Sequence, residues 1–119
     1  GFAKWDDAWK KLTQSVKALH MSDYNVICIT HIEKDTDEFT RQRVIRPAFQ
    51  GKKSHTELPK VFDYIGMLFV QEDESGEKRR VIQFEMDDNV VTKNRSYGVL
   101  PDYITDPTMQ KIYDALTAE

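Results

Sequence analysis

The stretch Tyr24-Asn25-Val26-Ile27-Cys28-Ile29-Thr30-His31 constrains the fold more than any other part of the chain. Val26 to Ile29 is an unbroken apolar run rich in β-branched residues, and it stops abruptly at a hydroxyl and an imidazole. A short run of this kind fits a strand covered on both faces, as in a parallel α/β sheet. Ligands of such sheets gather beyond the carboxyl ends of the strands. Thr30 and His31 would stand at that position. A strand covered on both faces needs helices or further strands around it, so the flanking segments have to supply them.

The segment before the run does so. Phe2, Trp5, Trp9, Leu12, Val16 and Leu19 recur at steps of three and four, and the spacing predicts an amphipathic helix over 4–20 with both tryptophans in its apolar stripe. Ser22-Asp23 turns the chain into a strand over 25–30. Residues 34–57 follow neither the helix nor the strand period, apart from strand-like pieces near Phe39 to Ile45. A long irregular loop in a small domain is commonly functional. Leu58, Val61, Phe62 and Ile65 share a helical face after Pro59, which suits a first turn. Met67-Leu68-Phe69-Val70 and the alternating Arg80 to Met86, separated by a polar turn, predict an antiparallel hairpin. Asp106 as N-cap and Pro107 at the first position open a last helix carrying Met109, Ile112, Tyr113 and Leu116.

The chain of 119 residues is long enough for one small domain, 1–119. Its 11% aromatic content sets it apart from disordered chains. No apolar run reaches the ~18 residues of a membrane span. The single cysteine, Cys28, excludes an intrachain disulfide, reads as a small core residue, and favours a cytosolic setting. Net charge is −3, so global basicity does not advertise nucleic acid. The distribution says more. Between Lys34 and Lys60 stand Lys34, Arg41, Arg43, Arg46, Lys52, Lys53 and Lys60 against Asp35, Asp37, Glu38 and Glu57, whereas Glu72 to Asp88 is predominantly acidic.

Several groups have the chemistry for a site. The imidazole of His31 can donate to a phosphate oxygen or position a water, and Glu33 can polarise a water or meet a metal. Each is equally readable as a side chain satisfied locally, and the same holds for Asp63 as a cap or surface ion pair. Arg41, Arg43, Arg46, Lys52 and Lys53 can contact a nucleic-acid backbone and release counterions, with Phe39 and Phe49 stacking on bases. The alternative is a solvated loop whose phenylalanines fold back on the core. Lys93 and Arg95 can place charge on a phosphate. The three histidines are too scattered for a metal site, and no zinc pattern exists.

The order of these segments resembles a known family. An amphipathic helix with paired tryptophans, "VICITH", a basic loop with "RPAFQGK", "ELPKVFDYIGMLF", a charged hairpin, "KNR" and a proline-led helix follow one another. In that order the chain resembles the phage RecA-like nucleotide-binding proteins associated with single-strand annealing, over the C-terminal half of their core. The resemblance implies an α/β fold, a partial three-layer RecA-like P-loop NTPase core, with a mainly parallel sheet extended by an antiparallel hairpin. It implies ATP and Mg²⁺ as cofactors. It also implies single-stranded DNA and neighbouring subunits, or a missing N-terminal half, as partners, in the host cytoplasm. It implies that Thr30-His31 sense the γ-phosphate, that Lys34 to Thr56 form a DNA-binding loop, and that Lys93-Asn94-Arg95 reach the neighbouring subunit's nucleotide. The phosphate-cradling pattern G-x-x-x-x-G-K-[ST] does not occur in the chain. It and the Mg²⁺-holding Asp would lie upstream of Gly1, leaving this chain inactive as an ATPase alone. Two functions are therefore expected: part of an ATP-binding protein acting on single-stranded DNA in phage recombination or replication, or a non-enzymatic module of the same fold that binds nucleic acid or protein.

Overall fold

The computed structural model describes residues 2–36, 39–48, 58–95 and 98–118, without the side chains of residues 2–6, Trp9 and His20. The chain forms two compact units, Gly1–Phe62 and Asp63–Glu119.

The first unit opens on helix α1 (Phe2–His20), and the period of three and four foretold it. Leu12 and Leu19 on its apolar stripe stay 42% and 45% exposed. The side chains of Trp5 and Trp9 lie outside the described residues. Strands β1 (Ile32–Thr36) and β2 (Arg43–Pro47) then pair antiparallel, with Ile32 opposite Pro47 and Thr36 opposite Arg43. A single helical turn, α2 (58–61), follows, beginning at the buried Leu58.

The second unit is built on two small antiparallel ladders. Strand β3 (Tyr64–Ile65) pairs with β6 (Lys93–Asn94). Strands β4 (Met67–Glu72), β5 (Lys78–Gln83) and β7 (Tyr103–Thr105) make a three-stranded sheet in that order. The β4–β5 turn is held by Asp73. Its carboxylate accepts from the Ser75 and Glu77 backbone N–H groups, at 3.0 and 2.9 Å, and from the Ser75 hydroxyl at 2.7 Å. These bonds, the Ser75 hydroxyl first, hold the Asp73 carboxyl below its usual range. Gly76 completes the turn at φ 84°. Val81, Phe84 and Leu100 form the apolar core, with Gln83 and Thr92 as buried polar members whose side chains both donate to the Glu85 carbonyl. The Tyr103 hydroxyl donates to the Glu85 carboxylate at 2.6 Å, which pushes that phenol up. Helix α3 (Met109–Thr117) closes the unit.

This architecture corrects the expected fold. Every strand pairing among the described residues is antiparallel, so the mainly parallel, three-layer RecA-like P-loop NTPase core is not what these residues build. The organising strand is missing too: residues 25–31 carry no strand, and Ile27 and Ile29 are 62% and 92% exposed. Cys28 is exposed rather than a core residue. The physical reason is that a strand is a pairing, not a composition. A parallel strand needs neighbours reached by long crossovers, whereas short turns between β1 and β2 and between β4 and β5 deliver antiparallel neighbours at once.

Three smaller readings also shift. The irregular loop over 34–57 holds β1's end and all of β2. The helix after Pro59 stops at 61, and Tyr64–Ile65 becomes a strand. The last helix is capped by Thr108 in place of Asp106: Thr108 has extended backbone and its hydroxyl accepts the Lys111 N–H at 3.1 Å. Asp106 sits at φ 49°, in the left-handed region, and its own N–H donates to the Arg80 carbonyl at 2.7 Å. A residue in that conformation cannot be an N-cap. The β4–β5 hairpin is where the alternation put it. Among the described residues no helix is long and apolar enough to cross a membrane.

Candidate functional site

The short β3–β6 ladder brings Asp63, Lys93 and Arg95 of the second unit together. Its register sets Tyr64 opposite Asn94 and Ile65 opposite Lys93. One step further, Asp63 meets Arg95, and Arg95 Nη1 lies 2.9 Å from Asp63 Oδ1. Successive strand side chains point to opposite faces, so Lys93 and Arg95 share one side with Asp63. Asn94 takes the other, where its amide donates to the carbonyl of the buried Leu100 at 3.0 Å. The Lys-Asn-Arg order thus has a division of labour: the asparagine ties the strand down and the two cations stand side by side. Burial, then the neighbouring Arg95 charge, push the Lys93 ammonium below its ordinary value, while Asp63 pulls it back up.

The Arg95–Asp63 pair is open to water. The two side chains are 53% and 46% exposed, and ion pairs of that kind contribute about 0–1 kcal/mol. A phosphate, with more charge and oxygens matched to the guanidinium fork, competes well against it.

The β1–β2 hairpin carries Lys34, Arg43 and Arg46 and sorts them. Its register puts Ile32, Lys34, Thr36, Arg43, Ile45 and Pro47 on one face, and Glu33, Asp35, Val44 and Arg46 on the other. On the second face Arg46 bonds the Asp35 carboxylate, and its Nε stands 4.0 Å from Glu33, too far for a hydrogen bond. That Nε is buried and without a hydrogen-bond partner among the described residues. On the first face Lys34, Thr36 and Arg43, with Asp35, line a depression of about 310 Å³. That volume is at the low end for a small-molecule site, and the polar lining gives a base nothing to stack on. Arg41 stands in the connecting turn at φ 57°, next to Phe39, which is 96% exposed and does not fold back on a core. Lys52, Lys53 and Phe49 lie outside the described residues.

His31 is not at the carboxyl end of a strand. It immediately precedes β1, where its carbonyl accepts the Ala48 N–H at 2.8 Å, while the Thr30 hydroxyl donates to the Ala48 carbonyl at 3.1 Å. His31 and Glu33 belong to the first unit and Lys93 and Arg95 to the second. Sequence reading weighed Asp63 but missed its partner, because 32 positions separate it from Arg95 and no local spacing reports a pair so far apart. It placed Lys34 and Thr36 in an irregular DNA-binding loop over Lys34 to Thr56 and missed the alternation Ile32-Lys34-Thr36 that sets them on one strand face.

A family model described as an AAA domain matches residues 1–96. The match spans α1, the β1–β2 hairpin and the Lys93-Asn94-Arg95 segment. Neither the comparison with curated proteins nor that with solved structures returned a match.

Proposed function

The chain belongs to the AAA domain family, and from that premise we propose that it serves a nucleotide-dependent machine by presenting Lys93 and Arg95 to phosphates of a nucleotide held outside these residues. The holder is a neighbouring subunit or another segment of the protein. The observation that carries this reading is the placement of two cations on one side of β6, inside the matched stretch, with the Arg95 ion pair open to water.

AAA domains typically bind ATP and Mg²⁺, and the residues present fit only part of that pair. Lys93 and Arg95 fit phosphate oxygens. Among the described residues no cluster of three or more His, Cys, Asp or Glu could hold a metal, so no step is assigned to Mg²⁺ here. What this chain does in the reading is bind and orient: Arg95 offers its fork, Lys93 a second charge, and Asn94 keeps the strand in place.

The same reading gives the hairpin a second ligand, single-stranded DNA, with Arg41, Arg43 and Phe39 at its turn and Lys34 on its basic face. Phage recombination or replication is the setting that the sequence resemblance attaches to it. His31 and Glu33, at the start of β1 in the first unit, are proposed to bind a phosphate oxygen or position a water by themselves.

The test is titration of the 119-residue chain with inorganic tripolyphosphate, followed by backbone-amide NMR. Shifts centred on Lys93 and Arg95 are expected, weakened about tenfold or more in Arg95→Ala, the loss of a charge-assisted hydrogen bond. No response at millimolar ligand overturns the reading. DNA binding retained in that case would leave a module that works without nucleotide.

A further inference from the structure

We propose that Asp63 is a latch on Arg95, holding the guanidinium against β3 until a polyphosphate displaces the carboxylate. The inference rests on the phosphate reading of Lys93 and Arg95 and adds the residue that regulates it.

Three observations carry it. The contact is direct, 2.9 Å between Arg95 Nη1 and Asp63 Oδ1. It is fixed by the backbone, because the β3–β6 register that pairs Ile65 with Lys93 leaves Asp63 facing Arg95. It is breakable, because both side chains are about half in water. A carboxylate in that position does two things. It parks the Arg95 side chain in one orientation beside Lys93, and it places a negative charge where an anionic ligand has to arrive. A polyphosphate must therefore exchange one anion for another at Arg95, and its affinity is lower than two neighbouring cations would give. Ligand binding also frees Asp63, at the edge of a two-residue strand, so the exchange is felt by β3. The carboxylate acts through Arg95 and is a positioning residue.

Tripolyphosphate affinity is compared in the full chain, in Asp63→Asn, in Arg95→Gln and in the double variant. Thermal unfolding of each shows that the chain remains folded, and Asp63→Ser serves if Asp63→Asn does not fold. Asp63→Asn is expected to bind about three- to fivefold tighter, the factor equivalent to a surface ion pair, and to tighten binding clearly less when Arg95 is already Gln, where only the carboxylate's repulsion of the ligand is removed. A role confined to stabilising the fold would not give that dependence on Arg95. Binding by the unaltered chain, with equal or weaker binding by Asp63→Asn, overturns the latch while the phosphate reading stands. Equal tightening in the Arg95→Gln background also overturns it, because the carboxylate would then act without Arg95. No binding by either the chain or Asp63→Asn removes the phosphate site and the latch with it.

Discussion

Gly66 joins β3, which carries the charged pair, to β4 of the larger sheet, and there is no room at it for a side chain. A Cβ on Gly66 would lie 2.7 Å from Ile82 Cδ1, 2.8 Å from Ile82 Cγ1 and 2.8 Å from Phe84 Cε1. Carbon atoms in contact prefer about 3.5–4.0 Å, so Gly66→Ala requires shifts of most of an ångström in two directions at once. Ile82 can yield a little, being half-buried. The Phe84 ring is 4% exposed and has core on its other side. Overpacking of this kind costs about 1–3 kcal/mol. For a domain of this size that lowers Tm by roughly 5–20 °C. Circular dichroism melts and urea midpoints of Gly66→Ala measure the loss. Ile82→Ala removes two of the three clashing atoms, so the two losses should combine to less than their sum, with a coupling of about 0.5 kcal/mol or more. An unchanged Tm for Gly66→Ala, or full additivity with Ile82→Ala, refutes the packing argument.

Acid should loosen the β4–β5 turn. The Asp73 carboxyl is held below its unfolded value, so its contribution is present above about pH 4 and is lost as pH falls through the lower folded value. The acid arm of Tm against pH should be flatter in Asp73→Asn, and matching arms would mean that the turn bonds carry no linkage. The hairpin makes a separate prediction for single-stranded DNA. Arg43→Ala should reduce the salt dependence of binding by about 0.7 in the log–log slope, the loss of one backbone contact. Arg46→Met should leave that slope nearly unchanged, because Glu33 and Asp35 already offset its charge. Equal reductions in the two variants would contradict the division of the hairpin into a basic and a neutralised face.

What the sequence determined by itself is what neighbours along the chain decide. The period of α1 depends on residues three and four apart, and it was legible from Leu12, Val16 and Leu19. The β4–β5 hairpin was legible for the same reason: an alternating run, a turn containing Gly76 and a second run pair without help from elsewhere. Lys93 and Arg95 were legible as neighbouring cations, but residues 87–103 read as a polar loop, and the strand β6 that sets the two on one side was not legible.

Tertiary structure alone decided the rest. The Val26–Ile29 run reads as a buried strand, yet only distant backbone can provide its ladder, and every described strand pairs antiparallel with another partner instead. Asp106 read as the cap of the last helix. The bond from the Asp106 N–H to the Arg80 carbonyl, made across the sheet, fixes Asp106 in the left-handed region and leaves the cap to Thr108. Arg43 and Arg46 belong to one basic run in sequence, and the β1–β2 pairing decides that Arg46 meets Glu33 and Asp35. Asp63 found Arg95 through the β3–β6 register. Each outcome turns on backbone hydrogen bonds between segments that are not neighbours along the chain's local period, and such pairing is not something residue spacing can report.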